Sequence, residues 1–344
     1  MSMAQDRLRV ATYNTELSRD GPGLLLRDIV SEKNEQVEAV ARVIAVNQPD
    51  VILLQNIDYD HDLLNLRALR DRVSAYGHDM PYGFANPPNT GIATRLDMNG
   101  DGNVELPKDA QSFGAFEGQG GMAILSRHQI NEIAVRDFSS IVWRDVPNAL
   151  VPNKDQGPFP SNEAQNVQRL SSTGHWIIPV ATDRGRIYLM TFHAGPPVFD
   201  GPEDRNGRRN HDEIVFWRHV MDGMMGAVPE PFVILGNANL DPVDGEGRTE
   251  AIASLLADKR LQDPRPMRKQ SAPQIENLAG DPNLHTVAWP LDGPGHKRVS
   301  YILPDASLLV LASGVYWPRL DSTAGQLVAK ASRHRLVWVD LAWE

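Results

Sequence analysis

The chain has 344 residues, 41% of them hydrophobic, which is enough for a large core in one α/β domain or in two. A net charge of -10 argues against non-specific binding to nucleic acid, because binding the phosphate backbone needs a basic surface. The same net charge is compatible with a local pocket for a small phosphate ester. The absence of cysteine excludes disulfides, zinc–thiolate sites and thiol catalysis.

The sequence gives little information on cellular location. No apolar run approaches the roughly 20 residues that a membrane-spanning helix needs, so no span is expected. The first eight residues contain no apolar segment, so we expect no signal peptide in this chain. Two Met residues within the first three positions leave open that the leader of a secreted or periplasmic protein has been trimmed. The compartment and the oligomeric state are left undecided.

In chain order, the hydrophobic pattern predicts strands that alternate with helices. Residues 81–121 are rich in Pro, Gly, Asn and Asp and predict a long loop, and loops of that length are usually functional or mobile. No linker interrupts the alternation, so we predict one α/β domain over residues 1–344. The predicted strands are 9–14, 51–54, 121–126, 176–180, 186–192, 232–235, 298–303 and 336–341, and the predicted helices are 34–47, 63–76 and 211–225.

Polar residues follow or lie within five of these strands, where α/β proteins place their chemistry. A single Asn after a strand is usually a turn former, and a single His is more often structural than catalytic. The combination, in this order, is the stronger signal. The residues are Asn14 with Glu16, the segment 55–58, His193, Asn237 with Asn239, and the segment 332–334.

Seven segments, in this order, resemble the motifs of the endonuclease/exonuclease/phosphatase superfamily, which includes abasic-site nucleases, DNase I, sphingomyelinases and inositol phosphatases. The resemblance covers nearly the whole chain and implies a DNase I-like fold, a four-layer α/β/β/α sandwich. The segments are Ala-Thr-Tyr-Asn at 11–14, Pro-Asp-Val-Ile-Leu-Leu-Gln at 49–55, Gly-Met-Ala-Ile-Leu-Ser-Arg at 121–127, Thr-Phe-His at 191–193, Gly-Asn-Ala-Asn at 236–239, Val-Ser-Tyr-Ile-Leu-Pro at 299–304 and Ser-Arg-His at 332–334.

The resemblance also implies roles for individual residues. Asn14 and Asn56 would face a divalent cation, Mg²⁺ or Mn²⁺, because hard cations prefer oxygen ligands. Asn237 would occupy the position that activates water, and His193, Asn239 and His334 would hold the phosphoryl group. These last four residues are the predicted catalytic set. The implied activity is that of a phosphoric ester hydrolase acting on a small phosphomonoester or phosphodiester.

Four carboxylates of the family pattern are replaced, by Asn56, Asn237, Ser300 and Arg333. An Asn side chain retains the shape of Asp but cannot accept a proton at neutral pH. Two interpretations are open. The chain is a metal-dependent phosphoesterase that uses other ligands, for which Asp58 is a candidate. Alternatively, it is a catalytically altered homologue that binds or transforms a small anionic ligand without metal-dependent hydrolysis.

Two further groups of residues are candidates for a site. Asp97, Asn99, Asp101 and Asp109 match part of a Ca²⁺-binding loop, although a polar, glycine-rich turn is the alternative. Arg205 and Asn210 follow the His193 strand, where they would bind substrate or cap a helix. Arg169 and His175 precede a strand, and either line the cleft or belong to a turn.

Overall fold

A computed structural model describes residues 7–154 and 157–342. Of the first eight residues, for which we expect no signal peptide, residues 1–6 lie outside the described residues. Its strands are β1 (Leu8–Leu17), β2 (Val51–Ile57), β3 (Tyr82–Phe84), β4 (Gly121–Ser126), β5 (Gln129–Ile130), β6 (Arg136–Asp137), β7 (Asn153–Lys154), β8 (Gly157–Pro158), β9 (His175–Thr182), β10 (Gly185–His193), β11 (Phe232–Asn237), β12 (Val287–Ala288), β13 (His296–Lys297), β14 (Ser300–Pro304), β15 (Leu309–Val315) and β16 (Val337–Ala342). The helices are α1 (Leu24–Val30), α2 (Glu35–Asn47), α3 (Leu64–Ala75), α4 (Asn162–Val167), α5 (Arg205–Met221), α6 (Glu250–Leu256) and α7 (Thr323–Ala331).

The strands form two six-stranded sheets and two small hairpin-like pairs, β12–β13 and β7–β8. The first sheet has the order β15–β16–β1–β2–β4–β3, and the second has the order β14–β11–β10–β9–β5, with β6 also paired to β9. Within each sheet the central pair is parallel, β1 with β2 and β10 with β11. The carboxyl ends of each parallel pair therefore lie side by side, as in other α/β proteins whose ligands bind there.

Three hydrophobic clusters separate the layers. One lies between the first sheet and helices α1, α2, α3 and α7, and a second lies between the second sheet and helices α5 and α6. The third joins the inner faces of the two sheets through residues such as Leu53, Ile124, Leu235 and Ile302. The order helix, sheet, sheet, helix is the four-layer α/β/β/α sandwich that the sequence predicts.

Most predicted elements are present, with shifted ends. Helix α5 begins at Arg205 rather than at the predicted residue 211, after Asp204 in the left-handed region. The predicted loop 81–121 contains only the short strand β3 and isolated bridges at Thr90 and Ala93. The pattern missed the edge strand β15, whose first five residues are exposed or half-buried. It also missed the helices α1, α4, α6 and α7. No helix within the described residues is long and apolar enough to cross a membrane.

Candidate active site

The second sheet brings His193 and Asn237 together. They end β10 and β11 and are directly paired in the parallel register. Gly236 permits this close approach, because a Cβ there would lie 2.0 Å from the main-chain oxygen of Phe192. On its other side, Asn237 pairs with Ser300 at the start of β14. Three of the predicted positions thus lie at one edge of the sheet.

The first sheet contributes Asn14, Glu16 and Asn56. Asn14 pairs with Gln55, and the register then shifts before Leu17. Glu16 and Asn56 both adopt the left-handed conformation, with φ of 51° and 56°. That conformation is uncommon outside glycine and is often found at functional sites. Because the His334 ring interacts electrostatically with both Glu16 and His193, and His193 pairs with Asn237, Glu16 lies at the same end of the sandwich as Asn237.

The segment 332–335 bonds to the first sheet through Asn14 and Glu16. The Ser332 hydroxyl donates to the Asn14 carbonyl at 2.8 Å and to Glu16 Oε2 at 3.1 Å. The Arg333 main-chain N–H donates to Glu16 Oε2 at 2.7 Å. The Arg333 guanidinium donates to Glu16 Oε1 through Nε at 2.7 Å and through Nη2 at 2.5 Å. Both oxygens of Glu16 are therefore occupied by groups of this segment.

Electrostatics keep Glu16 charged. Burial raises the pKa of the Glu16 carboxyl, but the hydrogen bonds and the charge of Arg333 outweigh this effect and hold the pKa below its usual range. The side chain of Glu16 is 17% exposed, whereas that of Arg333 is 61% exposed. The cleft thus contains a carboxylate that is already neutralised by a cation from the protein itself.

The two site histidines are uncharged at neutral pH. Burial lowers the pKa of His193 to about 4. Burial also lowers the pKa of His334 to about 3, with the charge of Glu16 acting in the opposite direction and a smaller lowering effect from His193. The Nδ1 atoms of both rings are buried and lack a hydrogen-bond partner among the described residues, as does the hydroxyl of Ser300. Buried polar atoms are usually paired, so these three point to a ligand or to water in the cleft.

Asn237 and Asn239 form a closed hydrogen-bonded unit. Asn237 Nδ2 donates to Asn239 Oδ1, and the Asn239 main-chain N–H donates to Asn237 Oδ1, both at 3.1 Å. Asn239 Nδ2 donates to the Ala194 carbonyl at 2.8 Å. Because neither amide can accept a proton at neutral pH, this unit orients polar groups but supplies no general base.

The donor set does not fit a divalent cation. Asn14 Oδ1 accepts the Glu16 N–H at 3.3 Å, and the two oxygens of Asp58 accept the N–H groups of Arg19 and Gly120, both at 2.9 Å. Asp58 therefore anchors a loop beside Asn56, and its role as a metal ligand stays a prediction. Residues 7–154 and 157–342 contain no group of three or more His, Asp or Glu side chains that could hold a metal ion. Mg²⁺ and Ca²⁺ sites depend on such carboxylates.

The predicted calcium loop is held by its own hydrogen bonds. Asp97 accepts the N–H groups of residues 99, 100 and 102, and the buried Asp109 accepts those of Met98 and Glu105. Asp101 is exposed and accepts from Asn99 and from residue 103. These carboxylates order the turn, and the structure does not show them as a ligand cage.

The side chains of the four predicted substrate-binding residues bond to other groups of the protein. Arg205 donates to the Met98 carbonyl, and Arg169 Nη1 donates to Asn89 Oδ1 at 2.7 Å. Asn210 Nδ2 bridges the carbonyls of residues 195 and 238, at 2.8 and 2.7 Å, and so fixes the backbone before Asn239.

His175 is fully buried in an aromatic cluster, with its nitrogens bonded to Ser171 and to the Glu213 carbonyl. The prediction that His175 lines the cleft is wrong, because the strand that it begins directs its ring into the core.

Sequence reasoning named Glu16 beside Asn14 without giving it a role, and it did not name Arg335, which follows His334. Glu16 follows Asn14 by two residues, so alternation along the strand was the available signal. Arg335 directly follows His334 and is nearly buried, with Nη1 donating to the carbonyls of residues 332, 333 and 334. Its proximity to His334 was visible in the sequence, but its burial was not.

The fold and site define a class of protein: a two-sheet α/β/β/α sandwich of the DNase I-like type, with a polar cleft where the ends of the central strands meet. The chain belongs to the Endonuclease/Exonuclease/phosphatase family, whose sequence model matches residues 11–334. Members of this family, which include phosphatases and nucleases, typically use divalent cations.

Several solved structures are similar to this chain in fold. An endonuclease/exonuclease/phosphatase from Beutenbergia cavernae is 18% identical, with a TM-score of 0.57, over 98% of this chain and 72% of the other. A family protein from Leptotrichia buccalis is 16% identical, with a TM-score of 0.55, over 98% and 100%. A Bacteroides thetaiotaomicron mannosyl-6-phosphatase is 15% identical, with a TM-score of 0.51, over 98% and 100%. No curated protein sequence matches this chain.

Proposed function

We propose that this chain binds a small phosphate ester in the cleft without a divalent cation, and that it lacks the metal-dependent hydrolysis typical of its family. The observation that carries this proposal is the engagement of both Glu16 oxygens by Arg333 and Ser332. The only carboxylate that the central strands direct into the described part of the cleft is thereby unavailable to a metal. Asn237, at the water-activating position, supplies no base.

The ligand class follows from the groups that are left. Neutral His193 and His334 each offer a ring nitrogen as a donor or acceptor, and Asn239 adds an amide. A phosphoryl group matches this set, and the mannosyl-6-phosphatase of the same fold is named for a small phosphate ester. The net charge of -10 favours a small ligand over a nucleic acid. Calcium binding by the loop 97–109 stays a prediction.

The experiment compares binding with hydrolysis. We expect calorimetry to detect phenyl phosphate binding in the presence of EDTA, and His334→Ala to weaken that binding at least about tenfold through the loss of one hydrogen bond to a charged group. We expect no hydrolysis of p-nitrophenyl phosphate or bis(p-nitrophenyl) phosphate with Mg²⁺, Mn²⁺ or Ca²⁺. Hydrolysis by the unmodified chain that stops on chelation would overturn the proposal.

A restored variant provides the matched control. Asn56→Glu, Asn237→Asp, Ser300→Asp and Arg333→Asp together return the four carboxylates of the family pattern. We expect this variant to gain metal-dependent hydrolysis, since it would supply both ligands for a cation and a base for water. The same variant with His334→Ala should be inactive, which would show that the acquired activity uses this cleft.

A further inference from the structure

Four basic side chains form a cluster next to the cleft: Arg268, His285, His296 and Arg335, here called the basic cluster. The guanidinium carbons of Arg335 and Arg268 lie 4.6 and 4.8 Å from the centre of the Trp317 ring. The His296 ring lies 5.3 Å from Trp317 and 6.2 Å from the His285 ring. The cluster is thus continuous, and it begins at the residue that follows His334.

The two arginines of the basic cluster form no salt bridge with an acidic side chain of the described residues. Within residues 7–154 and 157–342, neither Arg268 nor Arg335 forms an ion pair, and the nearby Glu16 is held by Arg333. Arg335 is 6% exposed. A buried charge without a partner is costly, and two guanidinium groups around one indole also repel each other. The arrangement is therefore short of negative charge.

Several polar atoms of the basic cluster also lack hydrogen-bond partners in the described part of the chain. They are Nε of Arg268, Nε of Arg335 and both ring nitrogens of His285, which is 1% exposed. A guanidinium Nε–H can only donate, so its missing partner must be an acceptor. An oxyanion supplies several acceptors at once and the absent negative charge.

Nearby carboxylates do not fill this role. Asp241, Asp244 and Asp281 act electrostatically on His285. The oxygens of Asp241 accept the N–H groups of residues 243, 244 and 298, and those of Asp244 accept the N–H groups of residues 279 and 280. Asp281 accepts the N–H of Asn283. These acids stabilise loops beside the basic cluster and are not bonded to its members.

We propose that the basic cluster is a second oxyanion subsite, and that the ligand of the cleft is a small phosphate ester with an additional carboxylate or phosphate group. This inference rests on the proposed function for the first subsite, at His193 and His334. Arg335 directly follows His334, and the charge of its guanidinium acts electrostatically on the His334 ring, so the two side chains are close. One small molecule can therefore reach both subsites. The Trp289 ring, 5.6 Å from that of His334, offers an apolar surface for its carbon skeleton.

The first test is a calorimetric titration with inorganic phosphate in EDTA. We expect two sites in the unmodified chain. His334→Ala should retain only the site that depends on Arg268, and Arg268→Met should retain only the site that depends on His334. Arg67→Met, which removes an exposed arginine from α3, should retain both. Arg268 is half-buried and suits substitution better than the nearly buried Arg335.

The second test compares phenyl phosphate with 4-carboxyphenyl phosphate and 1,4-phenylene bisphosphate. We expect at least one of the two doubly anionic ligands to bind at least about tenfold more tightly than phenyl phosphate. Arg268→Met should abolish this gain, while phenyl phosphate keeps its His334-dependent site. Circular dichroism verifies that each variant is folded. If the unmodified chain has no Arg268-dependent site and shows no gain in affinity, but keeps the His334-dependent site, the second subsite is wrong and the proposed function stands. Absence of the His334-dependent site overturns the proposed function.

Discussion

At the scale of single residues, Arg333 determines what the Glu16 carboxylate can do. Its guanidinium and main-chain N–H engage both carboxylate oxygens. Where a family member with Asp at this position would add negative charge, this chain adds a cation. Arg333 is largely exposed at the rim, so it can be replaced without opening a cavity in the core.

We predict that Arg333→Met frees Glu16 to bind a cation. The pKa of the Glu16 carboxyl should rise, because the hydrogen bonds and charge that lower it are removed. The free energy of unfolding should fall by about 1–3 kcal/mol, because the largely buried Glu16 carboxylate loses its cation. Mn²⁺ binding, followed by electron paramagnetic resonance, should be absent in the unmodified chain and detectable in the variant.

The control for this prediction is Arg319→Met, because Arg319 pairs with Asp321 in an exposed ion pair elsewhere on the surface. It should not create a Mn²⁺ site. Equal Mn²⁺ binding by the unmodified chain and by Arg333→Met would mean that the ion pair does not block the carboxylate.

At the scale of secondary-structure elements, the close pairing of β10 and β11 depends on Gly236. A Cβ at this position would meet the Phe192 main-chain oxygen at 2.0 Å and the Phe192 ring at 2.8 Å. Neither the backbone nor a core ring can move away easily, because interiors are close-packed. The paired strand ends bear His193 and Asn237, so the contact serves both the fold and the site.

We predict that Gly236→Ala lowers the free energy of unfolding by more than about 2 kcal/mol, the range of strong overpacking in a core. It should also weaken phosphate binding, because β10 and β11 must separate where His193 lies. Gly21→Ala is the control, since the nearest atom to its added Cβ is a side-chain carbon at 3.4 Å and its φ is not positive. Urea denaturation of both variants measures the difference, and equal stability would contradict the prediction.

The sequence predicted the central elements and missed the peripheral ones for a physical reason. Strands buried on both faces, such as β2 and β11, are continuous apolar runs and are visible in the sequence. Strand β15 is an edge strand with exposed leucines, so its pattern is not that of a core strand. Helix α1 has seven residues and no side-chain N-cap, so neither its length nor a start signal reveals it.

The site was predicted in part for a similar reason. His193 and Asn237 end β10 and β11, Asn14 lies within β1, and His334 lies shortly before β16, so their positions follow from the predicted strands. The ion pair of Glu16 with Arg333 joins residues more than 300 positions apart, and no local pattern encodes such a contact. Likewise, Arg205 and Arg169 look like phosphate ligands in the sequence, yet their guanidinium groups hold loop carbonyl and amide oxygens.

At the scale of the whole molecule, burial of histidine makes stability depend on pH. Burial lowers the pKa of His175, His193 and His296 to about 4 and that of His334 to about 3. The unfolded chain protonates these rings near pH 6.5, so between pH 6.5 and about 4 it binds more protons than the folded protein. The free energy of unfolding therefore rises with pH across this window.

Glu213 opposes this trend. Burial raises the pKa of the Glu213 carboxyl to about 7, against the lowering effects of Arg209 and of hydrogen bonds from residues 172 and 195. Here the folded protein binds the additional proton, so this group destabilises the fold as the pH rises from about 4.5 to about 7. Glu213 acts against these four histidines, and the histidines determine the sign of the slope below pH 6.5.

We predict that the free energy of unfolding is lower at pH 5 than at pH 6.5, with each buried histidine contributing on the order of 1 kcal/mol per pH unit. Urea denaturation at both pH values measures the slope. His175→Gln should reduce the slope by up to one histidine's share, because the ring lies in the core and not in the cleft. The exposed His61→Gln should leave it unchanged. A slope of opposite sign would mean that Glu213, rather than the buried rings, dominates proton uptake in this range.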